Sequence, residues 1–326
     1  MTTGNGSRRV LVTGASGYIG RQLVEDLAVR RGAIEKIVAA DVRDPRPQDR
    51  KDGVEYVVCD VRDPALEKIL REHAIDTVVH LAAIVTPKPG SADDLEYQVD
   101  VLGTQNVLEC AVAAGVGRFL YTSSGAAYGY WPDNPAQLTE DCALRGNDTF
   151  NYSRNKRLVE EMLARYRSDA PGLRQLVLRP GTILGESVAN QITAMFERPF
   201  VLGVVGSQTP FVFIWDQDVV ACLRIGIDED REGIYNMAGD GVVTMREIAS
   251  RLSKPYVQLP PWLLRGALAV LHPLGIAPYG PEQVDFLLYR PVLSNEKLKR
   301  EFGYVPKKTS SEVFDFYIRT HKGAAS

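Results

Sequence analysis

Short runs of β-branched and aliphatic residues alternate with longer amphipathic stretches through the first 180 residues of the chain. The runs 9–14 (RVLVTG), 36–41 (KIVAAD), 54–60 (VEYVVCD), 77–83 (TVVHLAA), 118–124 (RFLYTSS) and 175–180 (QLVLRP) are nearly unbroken in hydrophobicity. Such continuity predicts strands of a parallel sheet covered on both faces, since a strand with one wet face would alternate. Between them Ile19, Leu23 and Leu27 recur at helical spacing, with Gly32 placed to end that helix. Asp63 and Pro64 predict an N-cap and first helical residue ahead of Leu66, Ile69 and Leu70. A longer helix is expected from Asp94 to Ala114, closed by Gly115. Strand and helix in this alternation predict an α/β fold, a Rossmann-type doubly wound parallel sheet.

After Pro180 the rhythm changes. Residues 181–211 are mixed and rich in glycine, whereas 210–227 reads as a strand and helix returning to the first unit. Thr244 and Glu247 form a capping box, and 294–306 predicts a short helix stopped by Gly303. The expected organisation is a nucleotide-binding domain over 8–180 with a return segment at 211–238. A smaller, discontinuous substrate domain would come from 181–210 and 239–320. The apolar stretch 260–275 (PPWLLRGALAVLHPLG) reads either as a core helix of that domain or as the lining of an apolar channel.

Composition narrows the functional classes. The chain has 326 residues, 45% hydrophobic and 24% charged, with a net charge of −3, so a globular protein without the basic footprint of a nucleic-acid binder is expected. Its longest apolar stretch falls short of the ~20 residues that cross a bilayer, so no stable membrane insertion is expected. Four scattered cysteines, Cys59, Cys110, Cys142 and Cys222, show no metal-ligand spacing and read as reduced thiols. With no apolar leader pattern in the opening residues, the expected location is cytoplasmic.

Two patterns carry chemistry. The first is TGASGYIG, residues 13–20, between the first strand and first helix. Gly14 permits a tight turn, Gly17 lets backbone N–H groups approach a pyrophosphate, and Gly20 lets helix and strand pack closely. The helix N-terminus adds partial positive charge for the phosphates. Asp41 ends the second strand about 20 residues further on, where a carboxylate accepts hydrogen bonds from both adenosine ribose hydroxyls and repels the extra phosphate of NADP. NAD is therefore expected over NADP, although Arg43 is placed to hold a 2′-phosphate.

The second pattern is NYSRNK, residues 151–156. Positions i and i+4 share a helix face, so Tyr152 and Lys156 stand side by side, either as a solvated surface pair or as a phenol beside a cation. A free phenol titrates near 10, and bringing it towards neutrality takes about 4 kcal/mol of preferential phenolate stabilisation. An ammonium about 4 Å away supplies roughly that at an effective dielectric of 20.

In order and spacing, TGASGYIG, Asp41, CDV (59–61), HLAA (80–83), YTSSGAAYG (121–129) and YSRNK (152–156) resemble the extended short-chain dehydrogenase/reductase superfamily, the NAD-dependent epimerase/dehydratase family. The resemblance implies an NAD(P)-dependent enzyme in which Tyr152 exchanges a proton with a substrate oxygen, Ser124 holds that oxygen, and Lys156 binds the nicotinamide ribose. Ser123 is the alternative to Ser124. It further implies cofactor contacts at Ser16, Tyr18, Ile19, Asp60, Val61, Leu81, Ala82, Ala83 and Pro180, no metal, and a homodimer built on the helices near 94–114 and 151–167. Gly125 and Asn190 are candidate substrate contacts, with a helix-capping or solvent role as the other reading of Asn190.

This sequence departs from the family pattern at two places. Asp100 stands where the family usually has Asn, and Gly125-Ala126 replaces the acidic pair of sugar-nucleotide 4,6-dehydratases, which disfavours β-elimination. The tract LRPGTILG (178–185), with Gly181 where nucleotide-sugar epimerases usually carry Asn, resembles that of hydroxysteroid dehydrogenases and flavonoid-type ketone reductases. The expectation is therefore reversible hydride transfer at a secondary alcohol or ketone of a small, hydrophobic substrate of hydroxysteroid or aromatic-ketone type. The alternatives are a nucleotide-sugar 4-epimerase and a non-catalytic NAD(P)-binding regulatory protein.

Overall fold

The computed structural model describes residues 8–85, 94–207, 210–275 and 280–323, so the opening residues expected to lack a leader lie outside it. Its strands are β1 (Arg8–Thr13), β2 (Ile34–Asp41), β3 (Glu55–Val58), β4 (Thr77–His80), β5 (Arg118–Thr122), β6 (Arg174–Pro180), β7 (Thr182–Leu184), β8 (Val201–Val204), β9 (Phe213–Trp215), β10 (Gly233–Met237) and β11 (Tyr256–Leu259). Seven of them form one sheet in the order β10-β6-β5-β4-β1-β2-β3, every pairing parallel. The doubly wound fold follows from the hydrophobic runs. Val10, Val12, Ile37 and Val79 pack on one face, and Leu11, Val38, Val78 and Phe119 on the other, so both faces are dry.

Four of the predicted strands extended past their real ends on the carboxyl side: to Gly14, Asp60, Ala83 and Ser124 instead of Thr13, Val58, His80 and Thr122. Those surplus residues are hydrophobic or small because they line the sheet's carboxyl edge, not because they pair. The helix foreseen over 94–114 exists, closed by Gly115 at φ +76°, but it carries a π-turn at Gln98–Gly103 that places Asp100 inside the protein. Such turns frequently mark functional positions. The helix after β3 begins later than expected, at Leu66, with Asp63 accepting from the Ala65 N–H at 2.8 Å.

Beyond β6, two small sheets (β7 with β9, β8 with β11) surround a separate core of Phe196, Phe211, Phe213, Phe314 and Tyr317, whose rings meet at 5.1–6.5 Å. The segment 210–227 supplies β9 and the helix Asp216–Asp228, whose buried side packs on the main sheet's core. The capping box at Thr244 and Glu247 is formed. The stretch 260–275 does not behave as a core helix. In the helix Pro261–Leu271 only Leu264 is buried, and Trp262 is 73% exposed.

Candidate active site

In an open parallel sheet, ligands collect beyond the carboxyl ends of the strands near the point where strand order reverses. Here that point lies between β1 and β4. Gly14 leaves β1 in the left-handed region (φ +67°), and a Cβ there would come within 2.6 Å of the Ala82 nitrogen. The loop after β4 thus rests directly on the glycine turn, which brings Leu81 and Ala82 to it, with the Leu81 N–H donating to the Thr13 carbonyl at 3.2 Å. A Cβ on Gly20 would collide with the Gly14 carbonyl oxygen, so the helix Tyr18–Val29 can start this close to β1 only with glycine there. Asp41 reaches across from β2. One carboxylate oxygen accepts from the Ser16 N–H at 2.9 Å, the other from the Arg43 N–H at 3.0 Å. The turn is thereby a closed backbone cradle with an acid at its rim, a geometry that fits a dinucleotide.

Not every expected cofactor contact points into this cradle through its side chain. The Tyr18 phenol donates to Asp216 at 2.6 Å, which together with burial drives its pKa upward, and Ile19 packs on the core. Those two can offer backbone only. Asp60 is engaged by Arg62, which donates from its backbone N–H at 2.9 Å and its guanidinium at 2.6 Å and 3.0 Å. The Asp60 carboxyl is held below its ordinary range by that side-chain pairing. Val61 is buried, with its carbonyl accepting from Asn106 at 2.8 Å. Ala83 precedes Ile84, and Pro180 closes β6 beside Met237 of β10.

The second half of the edge is built by β5 and the helix Asn151–Asp169. Ser124 opens a 3₁₀ turn over Gly125–Tyr128 and accepts from the Ala126 N–H at 3.1 Å. Of the two candidate serines, Ser123 is taken: its hydroxyl donates to buried Glu160 at 2.6 Å. Ser124 is the one that acts on the Tyr152 phenol. Burial raises that phenol to about 12, Ser124 pulls the other way, and Asp100 adds to the rise. Lys156 is buried, donating to the Tyr121 hydroxyl at 3.0 Å and to the Thr122 carbonyl at 3.1 Å. Its ammonium sits 4.8 Å from the centre of the Tyr121 ring and 5.9 Å from that of Tyr152. The helical pair faces the sheet and is not a solvated surface, but the cation lies over the Tyr152 ring and is directed to Tyr121.

Asp100 is the buried acid of this cluster. Burial pushes its carboxyl up to about 6, against the pull of Lys156 and of the Ile84 N–H, which donates at 2.8 Å. Its other oxygen has no hydrogen-bond partner among the described residues. His80, held between Thr13 (2.7 Å) and Thr104 (2.9 Å), is kept neutral, its pKa driven down to about 3 by burial and then by Lys156.

Sequence reasoning missed the support behind these residues. Arg179 on β6 grips Glu160 through Nε at 2.8 Å and Nη2 at 2.5 Å, and donates to the Tyr128 hydroxyl at 2.7 Å. Tyr128 in turn donates to Asn236 at 2.8 Å. Glu160 lies one helical turn beyond Lys156 on the same face, a spacing that was readable, whereas its partners lie on other strands. Two candidate substrate residues have a structural role as well. Asn190 caps the helix Gln191–Glu197, its amide oxygen accepting from Ile192 and Thr193 at 2.9 Å and 3.0 Å. Gly125 is buried beneath Leu293, whose Cδ1 would meet an added Cβ at 3.0 Å. Among the described residues no cluster of His, Cys, Asp or Glu could hold a metal.

Fold and edge together define a nucleotide-dependent enzyme of the doubly wound type. The model of the NAD dependent epimerase/dehydratase family matches residues 10–238, and the chain belongs to that family. The chain is 33% identical to an L-arabinose 1-dehydrogenase (NAD(P)(+)) of Haloferax volcanii over 59% of its own length and 78% of that protein's. It is 26% identical to an uncharacterized protein of Mycobacterium tuberculosis over 95% of its length and 83% of the relative's. Among solved structures, the UDP-glucose 4-epimerase of Thermus thermophilus in complex with NAD superposes with a TM-score of 0.74 at 26% identity, covering 97% of this chain and 99% of that one. The family is one of NAD-dependent enzymes, and the described helices include none long and apolar enough to cross a membrane.

Proposed function

We propose that the chain catalyses reversible, NAD-dependent hydride transfer at a secondary alcohol or ketone carbon, with Tyr152 as proton acceptor and donor, Ser124 as the holder of the reacting oxygen, and Lys156 as the fixed cation. The observation that carries this reading is the burial of Lys156 one helical turn from Tyr152, its ammonium 5.9 Å from the centre of that ring, at the same sheet edge as the glycine cradle and with Ser124 lowering the phenol's pKa against burial. Gly14, Gly17 and the helix N-terminus would hold the pyrophosphate, and Asp41 the adenosine ribose.

The energetics assign each group a share. Moving a phenol from about 12 to neutrality takes about 7 kcal/mol, and one ammonium at contact distance contributes about 4 kcal/mol at most. Lys156 alone is insufficient, all the more so because its ammonium is directed to Tyr121. An oxidised nicotinamide, when bound, supplies the hydride acceptor and a second positive charge at the phenol. Tyr152 then takes the carbinol proton while Ser124 donates to the same oxygen, and in the reverse direction Tyr152 returns the proton to the ketone oxygen. Tyr121 and the Thr122 carbonyl keep the Lys156 ammonium in place throughout.

Nucleotide-sugar 4-epimerisation uses the same groups and is favoured by the likeness to UDP-glucose 4-epimerase. An epimerase retains NAD through purification and turns over without added cofactor, whereas a dehydrogenase reduces free NAD with a rise in nicotinamide absorbance. For either reaction, Tyr152→Phe is expected to lower turnover by about 10³-fold with NAD affinity unchanged. Undiminished turnover in that variant would remove the assignment. A homodimer built on the helices near 94–114 and 151–167 belongs to the same proposal. Leu102 and Val112 stay exposed on the first of them, and sedimentation as a monomer at micromolar concentration would refute it.

A further inference from the structure

Arg290 is the least accounted-for charge in the molecule. It is 8% exposed, and none of its three guanidinium nitrogens has a hydrogen-bond partner among the described residues. Its Cζ lies 3.7 Å from the centre of the Phe211 ring and 4.6 Å from that of Phe286. The rings continue towards the reacting phenol. Phe286 sits 5.3 Å from Tyr130 and 6.4 Å from Phe150, Tyr130 sits 5.5 Å from Phe150, and Phe150 sits 6.5 Å from Tyr152. Electrostatics trace the same path, since the Tyr130 phenol responds to Tyr152 and to Arg290 at once. A guanidinium buried among aromatic rings with five idle donors is a costly arrangement, because ring faces replace only part of its lost hydration.

We propose that Arg290 is the anchor of a carboxylate-binding subsite at the end of the row of aromatic rings that leads to Tyr152, so that the substrate is an alcohol or ketone bearing a carboxylate on an apolar body. This rests on the hydride-transfer reading above and names the substrate class of that same site. The charge count selects the ligand. Tyr130 is the one titratable group among the described residues that acts on Arg290, so no second cation adjoins its guanidinium. A carboxylate cancels it one for one, and its planar pair of oxygens matches the guanidinium fork. A diphosphate or a phosphate monoester would leave further negative charge buried without a partner.

Isothermal titration of the NAD-loaded protein with benzoate, benzamide, inorganic phosphate and UDP tests this, in the native chain and in Arg290→Met and Arg290→Lys. Benzoate is expected to bind about 10- to 100-fold more tightly than benzamide. Arg290→Met is expected to remove that difference while melting no lower than the native chain, since it deletes an unpaired buried charge. Arg290→Lys is expected to retain part of the difference. Equal binding of benzoate and benzamide, or benzoate binding that survives Arg290→Met, would overturn the proposal. So would UDP or phosphate binding that depends on Arg290 more strongly than benzoate binding does. Loss of both thermal stability and benzoate binding in Arg290→Met and Arg290→Lys alike would assign the residue to packing instead. Tyr152→Phe separates the two claims. It is expected to keep benzoate affinity while losing turnover, so retained turnover there would sink the hydride-transfer reading and leave the binding result standing.

Discussion

The two halves of the sheet's carboxyl edge are built on opposite principles. Around the glycine turn the acids are answered: Asp41 by two backbone N–H groups, Asp60 by Arg62, Asp216 by the Tyr18 hydroxyl. Around Tyr152, buried groups are left perturbed or unpaired: a phenol near 12, Asp100 near 6 with one oxygen idle, and Arg290 with no partner among the described residues. The first region is a rigid receptacle for a ligand whose shape does not vary. The second stores unfavourable electrostatics that a bound substrate and an oxidised nicotinamide can relieve, which is how a site obtains selectivity and reactivity at the expense of stability.

The largest effect should come from breaking the rigid half. In Gly20→Val the new side chain overlaps the Gly14 carbonyl and the Ala15 Cα, both backbone atoms that cannot yield cheaply. An expected loss of about 3 kcal/mol in unfolding free energy, or of measurable NAD binding where the fold survives, can be read from denaturant titration and fluorescence quenching. Wild-type stability with wild-type NAD affinity would show that the cradle is looser than described.

Asp100 sharpens the contrast through pH. Its folded-state pKa is raised from 3.8 to about 6, so the native protein holds a proton there that the unfolded chain has already lost. Stability from this residue is therefore full below about pH 4 and falls as pH rises through about 6, by about 3 kcal/mol in all. Asp100→Asn should abolish that slope, melting higher than the native chain at pH 7 and equally at pH 4. The same change removes one cause of the raised Tyr152 pKa, so the alkaline-favoured oxidation should shift to lower pH. A parallel pH dependence in both proteins would mean that Asp100 is not the buried acid responsible.

The smallest effect belongs to Asp41. In Asp41→Asn the oxygen facing the Ser16 N–H is kept and the charge is lost, leaving Arg43 free to meet a 2′-phosphate. The preference for NAD over NADP should fall about ten-fold, with little change in melting temperature. An unchanged preference would place cofactor discrimination elsewhere.

What was legible in the chain was local. The glycine spacing, the Tyr152–Lys156 pair and the capping box at Thr244 each declare themselves within a few residues, and hydrophobic runs located all six strands that were predicted. What was hidden depends on contacts between distant segments. Arg179 meets Glu160 and Tyr128 only once β6 lies beside β5, and Arg290 reaches Phe211 across 79 positions of sequence. The direction of the Lys156 ammonium was equally invisible, because it is set by Tyr121 on a neighbouring strand. Asn190 offered two readings, substrate contact or helix cap, and the cap is seen once its helix is placed.

The central claim is that the nicotinamide and the Tyr152 phenol share one pocket at this edge, and a crystal structure of the chain with NAD tests it most directly. The pyrophosphate should lie on the Gly14–Gly17 turn and the nicotinamide ring within van der Waals reach of Tyr152, whose hydroxyl faces Ser124. A nicotinamide ring bound elsewhere, or a Tyr152 hydroxyl turned to bulk solvent with NAD in place, would contradict the account.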